Sequence, residues 1–218
     1  MNEIIQAIAV YALPVIFAIT LHEAAHAYVA KYFGDSTAYL QGRMSLNPMK
    51  HIDPFGTILL PLILVLVNSP IKIGYAKPVP VDFGKLRKPK RDMAWVALAG
   101  PAANFFMAIL WAILYALIGR LNLQEPFFIK MATAGQEINL LLFAFNLFPL
   151  PPLDGGRVLT SLLPHKYAYK FAQLERYGFL ILLPLVYLHV LDFWIIPVGT
   201  FAYGLVNLIV NPIILLLS

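Results

Sequence analysis

The chain has 218 residues, of which 60% are hydrophobic and 12% are charged, and its mean hydropathy is +0.75. Soluble domains are about half apolar and about a quarter charged, so this composition excludes an ordinary soluble protein and indicates an integral membrane protein. The net charge of +5 lies mainly in two loops, which argues against nucleic-acid binding, and the lack of cysteine excludes disulfides and thiolate metal ligands.

Apolar runs long enough to cross a bilayer recur along the chain. We predict spans at about 4–30, 94–118, 131–150, 178–196 and 197–217. A sixth candidate, 55–71, is shorter and contains Pro61. The predicted class is an all-α polytopic membrane protein with five or six transmembrane segments. It forms one membrane-embedded domain over 1–218, with a core of about 4–156 and a C-terminal helical pair at about 178–217.

The first predicted span contains an HEAAH motif, formed by His22, Glu23 and His26 with two alanines between them. Ionisable side chains at membrane depth are costly and usually mark a functional site. On a helix the two histidines are one turn apart and about 40° apart around the axis, so both rings can bind one metal ion. Glu23 lies on the neighbouring flank, where its carboxylate can act on a metal-bound water.

The connection after the first span is rich in Gly, Asn, Asp and Pro over 34–54, which predicts a loop or short hairpin. The segment 55–71 either crosses the membrane or dips in and returns. Only a returning segment brings the end of the first span to the cytosolic face, and the residues alone leave both alternatives open.

Loop charges predict the orientation of the later spans. Residues 72–92 contain seven basic and two acidic side chains, and residues 157–176 contain four basic and one acidic. The stretch 119–137 is balanced. By the positive-inside rule, the first two loops are cytosolic and the third is outside.

A catalytic zinc ion usually has three protein ligands and an open position for water, so two histidines are not enough. The outstanding carboxylate in apolar surroundings is Asp154, which follows three prolines and precedes two glycines. Such a turn can carry a carboxylate to a metal held by another helix. The alternatives are a turn or helix N-cap for Asp154 and a buried polar network for the histidines. A metal-binding protein or transporter without hydrolytic activity is the alternative function.

Three motifs in this order resemble the site-2 proteases, which are intramembrane zinc metalloproteases. They are HExxH at 22–26, AGPAAN at 99–104 and N-x-x-P-x-P-x-L-D-G at 146–155. The resemblance covers 20–156 and includes the family's three-helix catalytic core. The chain is similar to a compact form, because 119–137 is too short for the PDZ domain of some relatives and no C-terminal regulatory domain precedes Ser218.

The resemblance implies a role for each matching residue. His22, His26 and Asp154 would bind one Zn²⁺ per chain, Glu23 would be the general base, and Asn146 would contact the substrate. The implied substrates are transmembrane or signal-peptide segments of membrane proteins. The resemblance implies a multi-pass protein in the lipid bilayer of a prokaryotic cell membrane. Its active site would lie near the cytosolic face. The oligomeric state is left open.

Two further polar residues are weaker candidates for substrate binding. Asn104 either serves close helix packing or contributes to the site, and His51 is either a turn histidine or a donor to the oxyanion. The resemblance also implies a membrane-dipping β-hairpin at about 34–48, with an extension to 74–76, which presents the substrate.

Overall fold

The computed structural model describes residues 2–59, 63, 66, 74–123 and 125–217, and within these the chain is helical without a β-strand. The α-helices are α1 (Asn2–Tyr32), α2 (Thr37–Leu40), α3 (Pro89–Arg120), α4 (Pro126–Asn146), α5 (Asp154–Leu162), α6 (His165–Ala172), α7 (Gly178–Tyr187) and α8 (Asp192–Leu217). Short 3₁₀ helices cover Pro48–Lys50, Phe83–Lys85 and Gln173–Tyr177, and Pro54–Leu59 is a π-helical turn.

Three of the described helices are long and apolar enough to cross a membrane, at Ile5–Tyr32, Pro89–Arg120 and Asp192–Leu215. The prediction of a helical membrane protein is therefore confirmed, but the described residues do not support five or six spans. Helix α4 has 21 residues but is not one of these three helices.

The predicted break between the last two spans is in the wrong place. The chain leaves the helical conformation after Tyr187, adopts a left-handed conformation at His189 (φ 55°), and resumes as α8 at Asp192. Helix α7 has 10 residues and so measures only about 15 Å, half the thickness of a bilayer core.

The predicted β-hairpin at 34–48 is also wrong, because this segment contains α2 and turns. The Asp35 carboxylate accepts hydrogen bonds from the N–H and hydroxyl groups of Thr37, which favours a helical turn over an extended strand. Residues 74–82 form neither helix nor strand. Most of the candidate span 55–71 lies outside the described residues.

Helices α1 and α3 pack antiparallel. Arg87 N donates to Phe33 O (2.9 Å) at one end of the pair, and His22 of α1 contacts Asn104 of α3 farther along. Helix α3 also packs against α4, α5 and α8, and α4 packs against α1. Helices α1, α3 and α4 therefore form a three-helix core, as the resemblance implies.

Small residues bring these helices close together. Ala108 and Ala112 of α3 pack on Ala202 of α8, where small side chains allow close approach of the backbones. On α4, a Cβ atom added to Gly135 would overlap the indole ring of Trp111. Trp111 therefore lies flat against the α4 backbone and fixes the spacing between α3 and α4.

Candidate metal centre

The three predicted ligand residues come together in the core. His22 Nε2 lies 3.1 Å from His26 Nε2, and the Oδ2 atom of Asp154 lies 3.2 Å from the first nitrogen and 3.4 Å from the second. All three side chains are buried. In a tetrahedral zinc site with bonds of about 2.0–2.1 Å, neighbouring ligand atoms are about 3.3 Å apart. The observed separations fit this requirement.

The hydrogen bonds of the two imidazoles fix which nitrogen faces the centre. His22 Nδ1 donates to Asn104 Oδ1 (2.6 Å), and His26 Nδ1 donates to the carbonyl oxygen of Val96 (2.7 Å). Metal-binding histidines typically donate their second ring N–H to an oxygen in this way. With both Nδ1 atoms protonated, the two Nε2 atoms direct lone pairs toward each other and toward Asp154.

The Asp154 carboxylate is the third hydrogen-bond acceptor at the site, and it too has no donor. Its Oδ2 atom is buried and has no hydrogen-bond partner among the described residues. Leu153 occupies the N-cap position of α5 and Asp154 lies in the first turn, with no side-chain capping bond. A polar network would pair donors with acceptors, whereas three converging acceptors favour a bound cation, so these residues fit a zinc ion.

A turn between α4 and α5 brings Asp154 to the two histidines. The prolines of this turn end α4 after Asn146. A Cβ atom on Gly155 would overlap the carbonyl oxygen of Leu147, and one on Gly156 would overlap the backbone nitrogen of Pro151. Only glycine at these two positions allows α5 to begin directly beneath the turn.

The AGPAAN motif contributes a close helix contact at the site. A Cβ atom on Gly100 would overlap His26 Nε2 and would lie 2.5 Å from His22 Cε1. Because Gly100 has no side chain, the α3 backbone can contact the metal-facing edges of both rings.

Glu23 lies beside the three ligands and is not one of them. It is half-buried, and its Oε2 atom accepts a hydrogen bond from the backbone N–H of Val79 (2.7 Å). This arrangement leaves the carboxylate able to act as a base next to the metal site.

Asn104 is fully buried, and both of its amide hydrogens are used. Its Nδ2 atom donates to Ala18 O (3.2 Å) and to Asn139 Oδ1 (3.0 Å), while its Oδ1 atom accepts from His22. Asn139 is also fully buried, and its Nδ2 atom donates to Gly135 O (2.8 Å). Asn104 therefore orients His22 instead of facing a substrate, and Asn139 extends this chain to α4. Sequence reasoning missed Asn139, although an amide side chain in an apolar span was a usable signal.

The other two substrate-binding candidates lie outside the ligand cluster. Asn146 is half-buried at the end of α4, and among the described residues its Nδ2 atom bonds to Leu142 O of its own helix (3.0 Å). His51 is 1% exposed, and its Nε2 atom donates to Ser45 O (2.7 Å) while Nδ1 is buried without a partner among the described residues. A neutral His51 therefore offers an acceptor at Nδ1, so donation to an oxyanion would require the protonated ring.

The helical membrane fold and this ligand cluster are those of a membrane metallopeptidase. The chain belongs to Peptidase family M50, the site-2 proteases, whose profile matches residues 10–137 and 122–185. The predicted family is therefore confirmed, and the protein is a zinc metalloendopeptidase.

Similar proteins in bacteria and archaea bear related names. The chain is 41% identical over 182 residues to "Putative zinc metalloprotease YwhC" of Bacillus subtilis, covering 79% of this chain and 78% of that protein. It is 29% identical over 184 residues to "Putative zinc metalloprotease Rip2" of Mycolicibacterium smegmatis, covering 82% and 67%. It is 27% identical over 152 residues to "Zinc metalloprotease MJ0392" of Methanocaldococcus jannaschii, covering 69% and 33%. No solved structure gives a significant match.

Proposed function

We propose that this protein hydrolyses peptide bonds within or beside the transmembrane segments of other membrane proteins, including signal-peptide remnants. The observation that carries this proposal is the position of His22, Glu23 and His26 on a helix that is long and apolar enough to cross a membrane. A peptidase with its site on such a helix meets substrates that lie in the bilayer. In this proposal His22, His26 and Asp154 bind one zinc ion.

Glu23 is the general base of the proposed reaction. It accepts a proton from the attacking water, whose oxygen bonds to the scissile carbonyl carbon, and passes the proton to the leaving amine as the C–N bond breaks. When bound, zinc supplies a Lewis acid for the water and the carbonyl oxygen. The hydrogen bonds from His22 to Asn104 and from His26 to Val96 hold the two rings in place throughout.

A transmembrane substrate must unwind locally, because a helix uses its carbonyl groups in its own hydrogen bonds. Asn146 is the proposed contact for the unwound strand. Its Nδ2 atom is bonded to Leu142 O, whereas its Oδ1 atom has no partner among the described residues and can accept an N–H from the substrate backbone.

The site lies near the cytosolic face in this proposal. Helix α1 ends and α3 begins at the same end of the antiparallel pair, next to the basic residues of 77–91. Tyr75 N donates to Gly56 O (3.0 Å), so the two ends of the segment between these residues lie next to each other. Both observations support a returning connection instead of a full crossing. The bacterial relatives support a prokaryotic cell membrane.

The test is cleavage of a synthetic transmembrane peptide by the purified, zinc-loaded protein in detergent. We expect cleavage that stops with a chelator and returns with added zinc. Glu23→Gln should lower turnover by about 10²-fold or more and keep the zinc, because the amide preserves the shape but cannot accept the proton. His22→Ala should lose both zinc and activity.

Each outcome separates the parts of the proposal. Cleavage that survives complete removal of zinc would contradict a metallopeptidase of this type. Normal turnover by the Gln variant would exclude Glu23 as the base, while zinc binding by an Asp154→Ala variant at wild-type affinity would exclude Asp154 as a ligand.

A further inference from the structure

Residues 75–81, which form neither helix nor strand, pass beside Glu23 at the metal centre; we refer to this segment as the strap. Its backbone is bonded to the protein at several points. Lys77 N donates to His51 O (3.0 Å), and the hydroxyl of Thr57 donates to Tyr75 O (2.8 Å). The guanidinium group of Arg43 donates to Lys77 O (2.9 Å). These groups are therefore unavailable to a substrate strand.

The strap directs a single backbone donor at Glu23. Val79 lies between Pro78 and Pro80, and neither proline has an N–H group. The Val79 N–H is thus the one donor of this tripeptide, and it lies 2.7 Å from Glu23 Oε2. A hydrogen bond to a carboxylate is stronger than one between neutral groups.

The side chain of Val79 anchors this donor from the other side. Val79 is 7% exposed and packs with Ala27 of α1 and Ala38 of α2, with Met44 at the edge of the cluster. Because Ala27 follows Glu23 by one helical turn, the anchor and the hydrogen bond attach the strap to the same face of α1.

We propose that the strap is a positioning device for Glu23, and this rests on the proposed function above. The Val79 N–H holds Oε2 so that the second carboxylate oxygen faces the attacking water. A free glutamate samples many rotamers, and holding one of them raises the fraction of molecules in the reactive geometry. Val79 is therefore a positioning residue that acts through Glu23. The strap is a fixed support, since its prolines and bonded carbonyls leave it poorly suited to pair with a substrate.

Val79→Pro tests this role because it deletes the N–H, and a residue that precedes a proline already favours the β or polyproline region that proline itself can adopt. We expect kcat to fall by about tenfold to a hundredfold, with KM for the transmembrane peptide and zinc content unchanged. The matched control, Val79→Ala, keeps the N–H and loses side-chain packing, and its kcat should stay closer to wild type. Arg43→Ala releases the carbonyl of Lys77 and should lower kcat in the same direction, which provides a second variant if Val79→Pro does not fold.

A double-mutant cycle provides a readout independent of activity. In the wild-type background, Val79→Pro should lower the melting temperature by about 3–6 °C, since it removes a hydrogen bond to a charged group. In a Glu23→Ala background the same change should have a much smaller effect, because its partner is already absent.

The results distinguish this inference from the proposed function. A kcat that is unchanged or raised in Val79→Pro, or equal melting shifts in the two backgrounds, would overturn the positioning role while wild-type cleavage stands. A rise in kcat would show that the hydrogen bond from the strap to Glu23 inhibits the reaction. If zinc-loaded wild type cleaves nothing, the proposed function itself fails and the positioning role fails with it.

Discussion

Gly100 of α3 lies so close to His26 of α1 that a Cβ atom at position 100 would overlap the ring nitrogen Nε2. The backbone of α3 is thus in direct contact with the metal-facing edge of the His26 ring on α1. Any side chain at this position has to move either the helix or the ring.

Gly100→Ala should therefore lower both zinc affinity and peptidase activity, and overpacking of this kind costs about 1–3 kcal/mol of stability. Gly119→Ala is the matched control, because it lies on the same helix and an added Cβ there meets nothing within 4 Å. Zinc content and cleavage of the transmembrane peptide measure the two effects. Equal zinc affinity in the two variants would show that α3 does not constrain the histidines.

Asn139→Leu should weaken zinc binding although Asn139 is not a ligand. It bonds to Asn104, which in turn accepts from His22, and loss of such outer contacts typically lowers metal affinity or activity by about 10- to 100-fold. Competition with a zinc chelator measures the affinity. Asn207→Leu on α8 is the control, since Asn207 has no part in this hydrogen-bond chain. Wild-type affinity in Asn139→Leu would mean that Asn104 is held without it.

Asn146→Leu should keep zinc and fold but lower turnover. Its only described hydrogen bond is to Leu142 O within α4, so the change breaks no contact between helices. Turnover, zinc content and the melting temperature measured together separate the roles. A large fall in melting temperature would indicate a structural role, and unchanged turnover would remove Asn146 from the substrate site.

Asp35 should make stability depend on acid pH. Burial by itself would raise the pKa of this carboxyl, but hydrogen bonds from Thr37 and from Asp82 N–H, helped by the charge of Lys85, lower it below the usual value of 3.8. The folded state then binds fewer protons than the unfolded state, so this stabilisation is present above about pH 4 and is lost as the pH falls through the folded pKa.

The check is a series of melting curves for wild type and Asp35→Asn between pH 3 and 7. The difference between the two proteins should be largest near neutral pH and shrink below about pH 4. A difference that does not vary with pH would contradict a lowered pKa.

Single cysteines at Lys88, Lys170 and Glu125 would test the orientation. The chain has no natural cysteine, so each new thiol is unique, and all three positions are exposed. With an impermeant thiol reagent on intact cells, only the Glu125 position should react. Reaction at Lys88 would reverse the orientation and move the site to the outer face.

The candidate ligands were predictable because each belongs to a local motif. The four-residue spacing of His22 and His26 puts both rings on one face of a helix, and the prolines and glycines around Asp154 predict a turn. The break before α8 was misplaced, although His189 and Asp192 interrupt the apolar run at that point. The strap's contact with Glu23 was missed for another reason. It joins residues 56 positions apart through a backbone N–H, which has no signature in the side-chain sequence.

The division of the ligands along the chain bears on how the enzyme is made. In the proposed site, Glu23 and two ligands lie within the first 26 residues, whereas the third ligand, Asp154, is 128 residues later and reaches the site through the turn after α4. During synthesis the first helix can enter the membrane with its histidines in place and still lack the carboxylate. On the proposed function, a nascent chain should therefore be inactive until α3, α4 and the turn have assembled around the first helix. Order of synthesis would thus keep the proposed site incomplete until the helical core has formed.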